Sequence, residues 1–317
     1  MRHHAGPGRG RQSDPGVGAP RGRGRAVLDE NMRAPRREAA LAGVDAGAGA
    51  GAAPAAPAAS DLSPAPVGPL RWIASALFTG QMYLAMALIG LVLGPLAIFN
   101  RRYAFLATRT WCRYVRWSAA WMIGLRSEVR GPVPSGEVLI AAKHQSFLDI
   151  ILLVSVLERP KFVMKAELQR VPIVAFFARR TGCVPVERGR RAEAMRRMVA
   201  DVERGRAEPG QLIIYPQGTR VAPGAVVPYK GGTAALYAAS GQACVPAACN
   251  VGLFWARREV ARRPGVAVVE FLPPIAPGLP AGAFMTRLEA EIEAASDRLM
   301  AEALRARPPA GRRSGRV

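Results

Sequence analysis

The chain has 317 residues, half of them hydrophobic, with a formal charge of +21 and a pI near 11.3. That length holds one or two domains with a sizeable core, and the charge favours polyanionic partners such as nucleic acid, anionic lipid or phosphorylated substrates. The four cysteines (112, 183, 244 and 249) form no C-x-x-C pair and have no histidine cluster, which argues against zinc and for buried reduced thiols. The cations are almost all arginine, with lysine only at 143, 161, 165 and 230. A GC-rich coding sequence explains that bias equally well, so charge alone selects no function. No named DNA- or RNA-binding motif occurs, and no nucleic-acid partner is expected.

In chain order, residues 1–70 read as a disordered low-complexity tail rich in Gly, Ala, Pro and Arg, without helical or strand period. The tail holds nine arginines against six acids, so most of the positive charge lies downstream. It lacks the short apolar core of a secretory signal, and Met32 is one candidate for a later start.

Residues 71–125 read as a membrane-binding helical region. The 27 positions from Ile73 to Phe99 carry no charge. As a helix they would reach roughly 40 Å, against a hydrocarbon core of about 30 Å. Gly94-Pro95 is expected to kink or end that helix. Arginines at 101, 102, 109, 113 and 116 follow it, which favours a cytoplasmic C-terminal part. A buried core helix and a helix inserted in one leaflet satisfy the same pattern. Residues 103–125 interleave Tyr103, Trp111, Tyr114, Trp117 and Trp121 with arginines. They predict an amphipathic helix on the membrane, its arginines reaching lipid phosphates; an ordinary surface helix packed on the domain is the alternative.

From 126 to 307 short apolar runs alternate with helical ones. Strands are expected at 138–142, 162–164, 183–186, 212–215, 245–251 and 266–271. Helices are expected at 148–157, 173–180, 191–206, 233–239 and 283–307. The pattern is that of an α/β domain, a mixed central sheet flanked by helices. A basic tail, 308–317, closes the chain.

Four segments carry the chemistry. His144 and Asp149 lie in Lys-His-Gln-Ser-Phe-Leu-Asp, just past a strand. The other two histidines are His3 and His4, so His144 is the candidate imidazole base. On one continuous helix the pair would diverge by about 140°, so a turn must separate them. Ser146 and Asp149 have capping-box spacing, which puts His144 at the strand end and Asp149 in the first helical turn. The carboxylate can then reach Nδ1 and leave Nε2 to take a proton. Taken alone, the pair equally reads as a loop histidine and a helix cap. Next come Gly182 to Arg188, with an arginine suited to phosphate just past a strand. Tyr215-Pro216-Gln217-Gly218-Thr219-Arg220 is a third strand end running into a glycine turn. In the last, Cys244-Val245-Pro246, the proline hints at a strand edge or end. The second also reads as a solvated basic helix start and the third as a surface turn, and the last says little by itself.

In order and spacing, these segments resemble the glycerolipid acyltransferase family, nearest to the 1-acyl-sn-glycerol-3-phosphate (lysophosphatidate) acyltransferases. That family has His-x4-Asp, a Gly-to-Arg segment, Phe-Pro-Glu-Gly-Thr-Arg and Val-Pro-x-x-Pro or similar; here Val245-Pro246-Ala247-Ala248 is not followed by the second proline. Lys165-Ala166-Glu167-Leu168 resembles its Lys-x-Glu-Leu. The resemblance spans roughly residues 125–275. It implies catalytic roles for His144 and Asp149, and substrate-binding roles for Lys165, Arg188, Gln217, Gly218, Thr219 and Arg220. The implied reaction is acyl transfer from acyl-CoA or acyl-carrier protein to lysophosphatidate at the bilayer, without metal or cofactor. The implied location is a bacterial inner or cytoplasmic membrane, catalytic domain inward. A lyso-ornithine lipid or other lysolipid is an alternative acceptor, and a non-catalytic basic membrane protein a further one. Tyr215 and Gln217 stand where Phe and Glu are usual, which puts in doubt any role that needs a carboxylate at 217. No Gly-x-Ser-x-Gly elbow occurs, so a serine hydrolase fits poorly.

Overall fold

The computed structural model describes residues 67–186 and 209–306, with isolated helical positions at 193, 196 and 200. The helix expected at 191–206, and all but a few residues of the two tails, lie outside the described residues.

Two helices lead the chain: α1 (Pro69–Phe99) and α2 (Arg102–Ile123). Their contacts pair Arg71 with Ile123, Gln81 with Ser118 and Met82 with Trp111, so they run antiparallel. Pro95 does not end α1, which continues to Phe99. A proline this close to the C-terminus removes a single intrahelical donor. Gly124 then adopts φ 66°, the left-handed cap a glycine makes at little strain, and turns the chain out of α2.

Seven strands follow: β1 (Leu125–Arg130), β2 (Val138–Ala142), β3 (Pro160–Lys165), β4 (Val184–Val186), β5 (Gln211–Ile214), β6 (Cys244–Cys249) and β7 (Gly265–Phe271). The helices between and after them are α3 (Leu148–Val156), α4 (Pro172–Arg180), α5 (Gly232–Ser240) and α6 (Ala281–Arg305). The strands form one sheet in the order β1-β7-β6-β2-β5-β3-β4, parallel throughout except between β6 and β7. The mixed α/β fold expected from the alternating runs is the one observed. β1 was not anticipated: Leu-Arg-Ser-Glu-Val-Arg is too charged to stand out as a strand, and it pairs only with β7 at the sheet edge.

Strand parity separates two cores. Ile140, Ala142, Ile213, Val245 and Ala247 face a layer built from α1, α2 and α3. Leu139, Ala141, Ile214 and Cys244 face α5 and α6, meeting Tyr237, Phe284, Leu288 and Ile292. Successive side chains of a strand point to opposite faces, so neighbours in sequence belong to different cores.

Two expectations need correction. Pro246 is neither at an edge nor at an end, but inside β6, between β2 and β7. Its missing donor falls where the β6–β7 ladder has stopped at Ala247–Phe271 and only the isolated bridge Cys244–Ile275 remains. Arg109, Arg113 and Arg116 of α2 bond the domain itself rather than reaching outward for phosphates. Arg109 donates to the carbonyls of Leu157 (2.7 Å) and Glu158 (2.8 Å), and Arg113 to that of Ser155 (3.2 Å). Arg116 spans to Ser127 Oγ (2.8 Å), Ser127 O (3.1 Å) and Ser155 Oγ (2.8 Å). Arg109 and Arg113 sit on carbonyls at the end of α3, where the helix dipole also favours a cation, and Arg116 joins the Ser155 side chain to β1. One face of α2 is thus fastened to the domain, while Trp117 and Trp121 stack in parallel on its exposed side.

Arg116→Ala removes a three-bond tie between α2, α3 and β1 and should cost about 1–3 kcal/mol of stability. Trp121→Ala, at a residue 78% exposed, should change stability by no more than about 0.5 kcal/mol. Denaturant unfolding in mild detergent compares the two.

Candidate active site

The end of β2 places consecutive residues in opposite layers. Lys143 continues the ladder, its N–H donating to Ala247 O at 2.8 Å, and His144 is the first residue beyond it. The backbone then turns into α3, and Asp149 lies in the first turn of that helix.

The Asp149 carboxylate is 1% exposed and faces four donors. Oδ2 accepts from the N–H groups of Gln145 (2.9 Å) and Ser146 (2.8 Å). Oδ1 takes His144 Nδ1 at 2.9 Å and the Tyr215 hydroxyl at 3.3 Å. One half of the expected capping box is present, since Asp149 reaches back to the Ser146 N–H. The other half differs: Ser146 Oγ accepts from Leu148 N–H at 3.2 Å, two residues on rather than three. Burying a carboxylate is costly unless its lone pairs are filled, and here each oxygen takes two donors.

This arrangement assigns the His144 tautomer. A carboxylate only accepts, so Nδ1 carries the proton and Nε2 has the free lone pair. The imidazole stacks on the Tyr215 ring, centroids 3.9 Å apart and planes 18° apart. Tyr215 in turn stacks on Phe162. His144 keeps 14% of its side-chain surface exposed, so the ring is held but reachable. Burial, and then the Asp149 charge, push the Tyr215 hydroxyl well above the usual phenol range, so it stays protonated and donates. The tyrosine was visible in the sequence as a departure from phenylalanine; its bond to Asp149 was not, because the two are joined only across β2 and β5.

After β5 the chain makes a tight turn. Gly218 N–H donates to Tyr215 O at 2.8 Å, with proline at the second position, where its fixed φ suits a turn. Gly218 itself has φ 65°, which disfavours any other residue. Val221 N–H then donates to His144 O at 2.8 Å, tying the end of this loop to the histidine backbone. Thr219 is half-buried and Arg220 exposed. Gln217 is 1% exposed and turns inward, its amide 3.4 Å from Glu293 on α6. Lys165 ends β3, half-buried, before a short 3-10 turn, Ala166–Arg170. Because β2, β3, β4 and β5 are parallel, His144, Lys165 and the 215–220 loop leave the sheet at one edge, the carboxyl end where α/β domains bind ligands. β4 points to that same edge, but Arg188, two residues past it, lies outside the described residues.

Asp149→Asn replaces one acceptor oxygen with a donor facing existing donors. It should lower the rate of a base-catalysed step at His144 roughly 10²–10⁴-fold, whereas Tyr215→Phe, which removes one of four donors, should cost at most about 10-fold. Steady-state kinetics of the two variants test the ranking.

The site is thus a buried His-Asp pair at the carboxyl edge of a mixed α/β sheet. Residues 126–250 match the Acyltransferase family model. It is 28% identical over 183 residues to the 1-acyl-sn-glycerol-3-phosphate acyltransferase of Pseudomonas aeruginosa, covering 57% of this chain and 71% of that protein. It is 30% identical over 152 residues to the lyso-ornithine lipid O-acyltransferase of Rhizobium meliloti, covering 47% of this chain and half of that protein. The crystal structure of the 1-acyl-sn-glycerophosphate (LPA) acyltransferase, PlsC, from Thermotoga maritima superposes with TM-score 0.58 at 18% identity, covering 73% of this chain and 98% of that one. That likeness establishes the shared fold.

Proposed function

We propose that this chain transfers an acyl group from an acyl thioester to the sn-2 hydroxyl of lysophosphatidate, making phosphatidate at a membrane surface. The observation that carries the reading is the 2.9 Å contact between His144 Nδ1 and Asp149 Oδ1 at a strand end, within the residues that match the Acyltransferase family model. The relative from Pseudomonas supports the acceptor.

In this reading His144 Nε2 takes the proton of the sn-2 hydroxyl as its oxygen attacks the thioester carbonyl carbon. Asp149 holds the tautomer and stabilises the imidazolium that forms. The tetrahedral intermediate collapses, the C–S bond breaks, and the thiolate of CoA or carrier protein takes the proton from the imidazolium. The base is imidazole and the thiolate leaves readily, so the chemistry calls for neither metal nor cofactor. Lys165, Arg188 and Arg220 are the cations assigned to the acceptor phosphate, with Gly218 and Thr219 shaping the loop beside it.

The same reading places the protein on an inner or cytoplasmic membrane, with the catalytic domain inward. α1 is long and apolar enough to cross a bilayer, yet it lies along the domain. Ser75 Oγ accepts from Arg262 N–H at 2.9 Å, Phe78 meets Trp255 edge-on, and Gly90 faces Ile173 and Phe177 of α4. Its other side exposes Ile73, Leu77, Leu84, Leu88 and Leu91 at helical spacing. These contacts support a helix lying in one leaflet, apolar stripe outward, over one that spans. A lyso-ornithine lipid is the second acceptor to consider, on the strength of the Rhizobium relative.

Membranes carrying the protein, given lysophosphatidate and an acyl-CoA, should form phosphatidate, and His144→Ala should lower the rate roughly 10²–10⁴-fold. Equal rates for the two proteins would sink the reading. Preference for lyso-ornithine lipid, with Arg220→Ala tolerated, would move the acceptor. Leu84→Asp with Leu88→Asp should weaken binding to anionic vesicles by about 10-fold or more, measured by co-sedimentation.

A further inference from the structure

On the face of the sheet opposite His144 lies a second buried polar cluster, which the proposed proton transfer does not use. Lys143, 3% exposed, directs Nζ to both oxygens of Glu293 on α6, at 2.6 Å and 2.7 Å. Oε1 of the same carboxylate accepts from the Tyr229 hydroxyl at 2.9 Å and from Gln217 Nε2 at 3.4 Å. Burial and the Glu293 charge raise the Tyr229 phenol, so its hydroxyl keeps its proton. Glu293 therefore collects three donors from three segments. One segment ends in His144, one opens the Gly218–Arg220 loop, and the third is the Tyr229 stretch, whose next residue, Lys230, donates its N–H to Pro216 O at 2.9 Å.

We infer that Glu293 is a positioning residue for the acyl transfer: it locks the Lys143–His144 strand end to the Gln217–Gly218 turn, setting the base against the loop assigned to the acceptor phosphate. The inference rests on the acyl-transfer reading of the site. It also accounts for glutamine at 217. The buried ammonium of Lys143 already sits on the Glu293 carboxylate, and Glu289 on the same helix adds its charge near Tyr229. A second carboxylate at 217, 3.4 Å from Glu293, would set like charges together. Gln217 brings a donor instead of a charge, and its Oε1 is buried without a hydrogen-bond partner among the described residues. The place of the negative charge in this network is thus exchangeable between α6 and the turn.

The test moves the carboxylate. Wild type, His144→Ala, Glu293→Gln, Gln217→Glu and the double variant Gln217→Glu/Glu293→Gln are assayed for phosphatidate formation in the same membranes, with melting temperatures in detergent. Glu293→Gln should lose about 10–100-fold in kcat with KM within about 3-fold, because misplacing the base harms chemistry more than binding. Gln217→Glu should also fall, and the double variant should return to within about 5-fold of wild type. Wild type no better than His144→Ala defeats the acyl-transfer reading itself. With that pair distinct, a folded Glu293→Gln at wild-type kcat overturns the positioning role, as does a folded double variant no better than either single one. Should both Glu293 variants fail to fold, Tyr229→Phe decides. A drop in kcat at unchanged KM and melting temperature supports the role, and unchanged kcat overturns it.

Discussion

The candidate site hangs on one buried carboxylate. Asp149 collects two backbone N–H groups, a phenol and an imidazole N–H, and each bond settles something different. The backbone donors hold the strand-to-helix turn, the phenol ties β5 to α3, and the imidazole contact sets which nitrogen of His144 carries the proton. A carboxylate buried to this depth is tolerable only with most of its lone pairs occupied, so the local fold and the geometry of the base are specified together. The composition of α3 follows the same logic: Asp149 is its one charged residue, in the first turn at the edge of the sheet, and most of the rest is apolar and buried beside α2.

Strand parity extends this to the whole domain. Lys143 and His144 are neighbours in sequence, yet they enter opposite layers and each meets a carboxylate there, Glu293 on one side and Asp149 on the other. The end of β2 is thereby held from both faces. The layer that carries Asp149 also contains α1 and α2, so the elements with the exposed apolar stripe and the stacked tryptophans share a core with the histidine. The arginines of α2 reinforce that union by bonding the end of α3.

Much of this was legible in the sequence, and the failures have physical causes. The alternation of apolar runs located every strand among the described residues except β1, whose charges suit an edge position and conceal it. The His144–Asp149 pairing followed from capping geometry, because it is local. The partners of Asp149 and Lys143 from distant segments, Tyr215 and Glu293, were not readable, since only sheet order brings them near. Pro246 misled for a related reason: a proline normally marks an edge, but here the gap in the β6–β7 ladder lies at a position that only the three-dimensional pairing reveals. The α2 arginines misled because Trp–Arg interleaving has the same signature on a lipid surface and on a helix end.

The connectivity of the sheet carries a consequence for how the protein comes to be made. β1 pairs with β7 and β2 with β6, so Leu125 awaits Gly265 and Leu139 awaits Cys244. Pairings so far apart in sequence are slow to form and leave apolar edges open in the meantime. The α1–α2 hairpin, by contrast, closes through contacts within some fifty residues and leaves the ribosome before any of the strands. Phe78 and Ser75 must wait for Trp255 and Arg262 before their own face is covered. During synthesis the hairpin is therefore apolar on both sides. An apolar surface that held its outer stripe at that stage would shield the nascent chain while the central strands are still being translated.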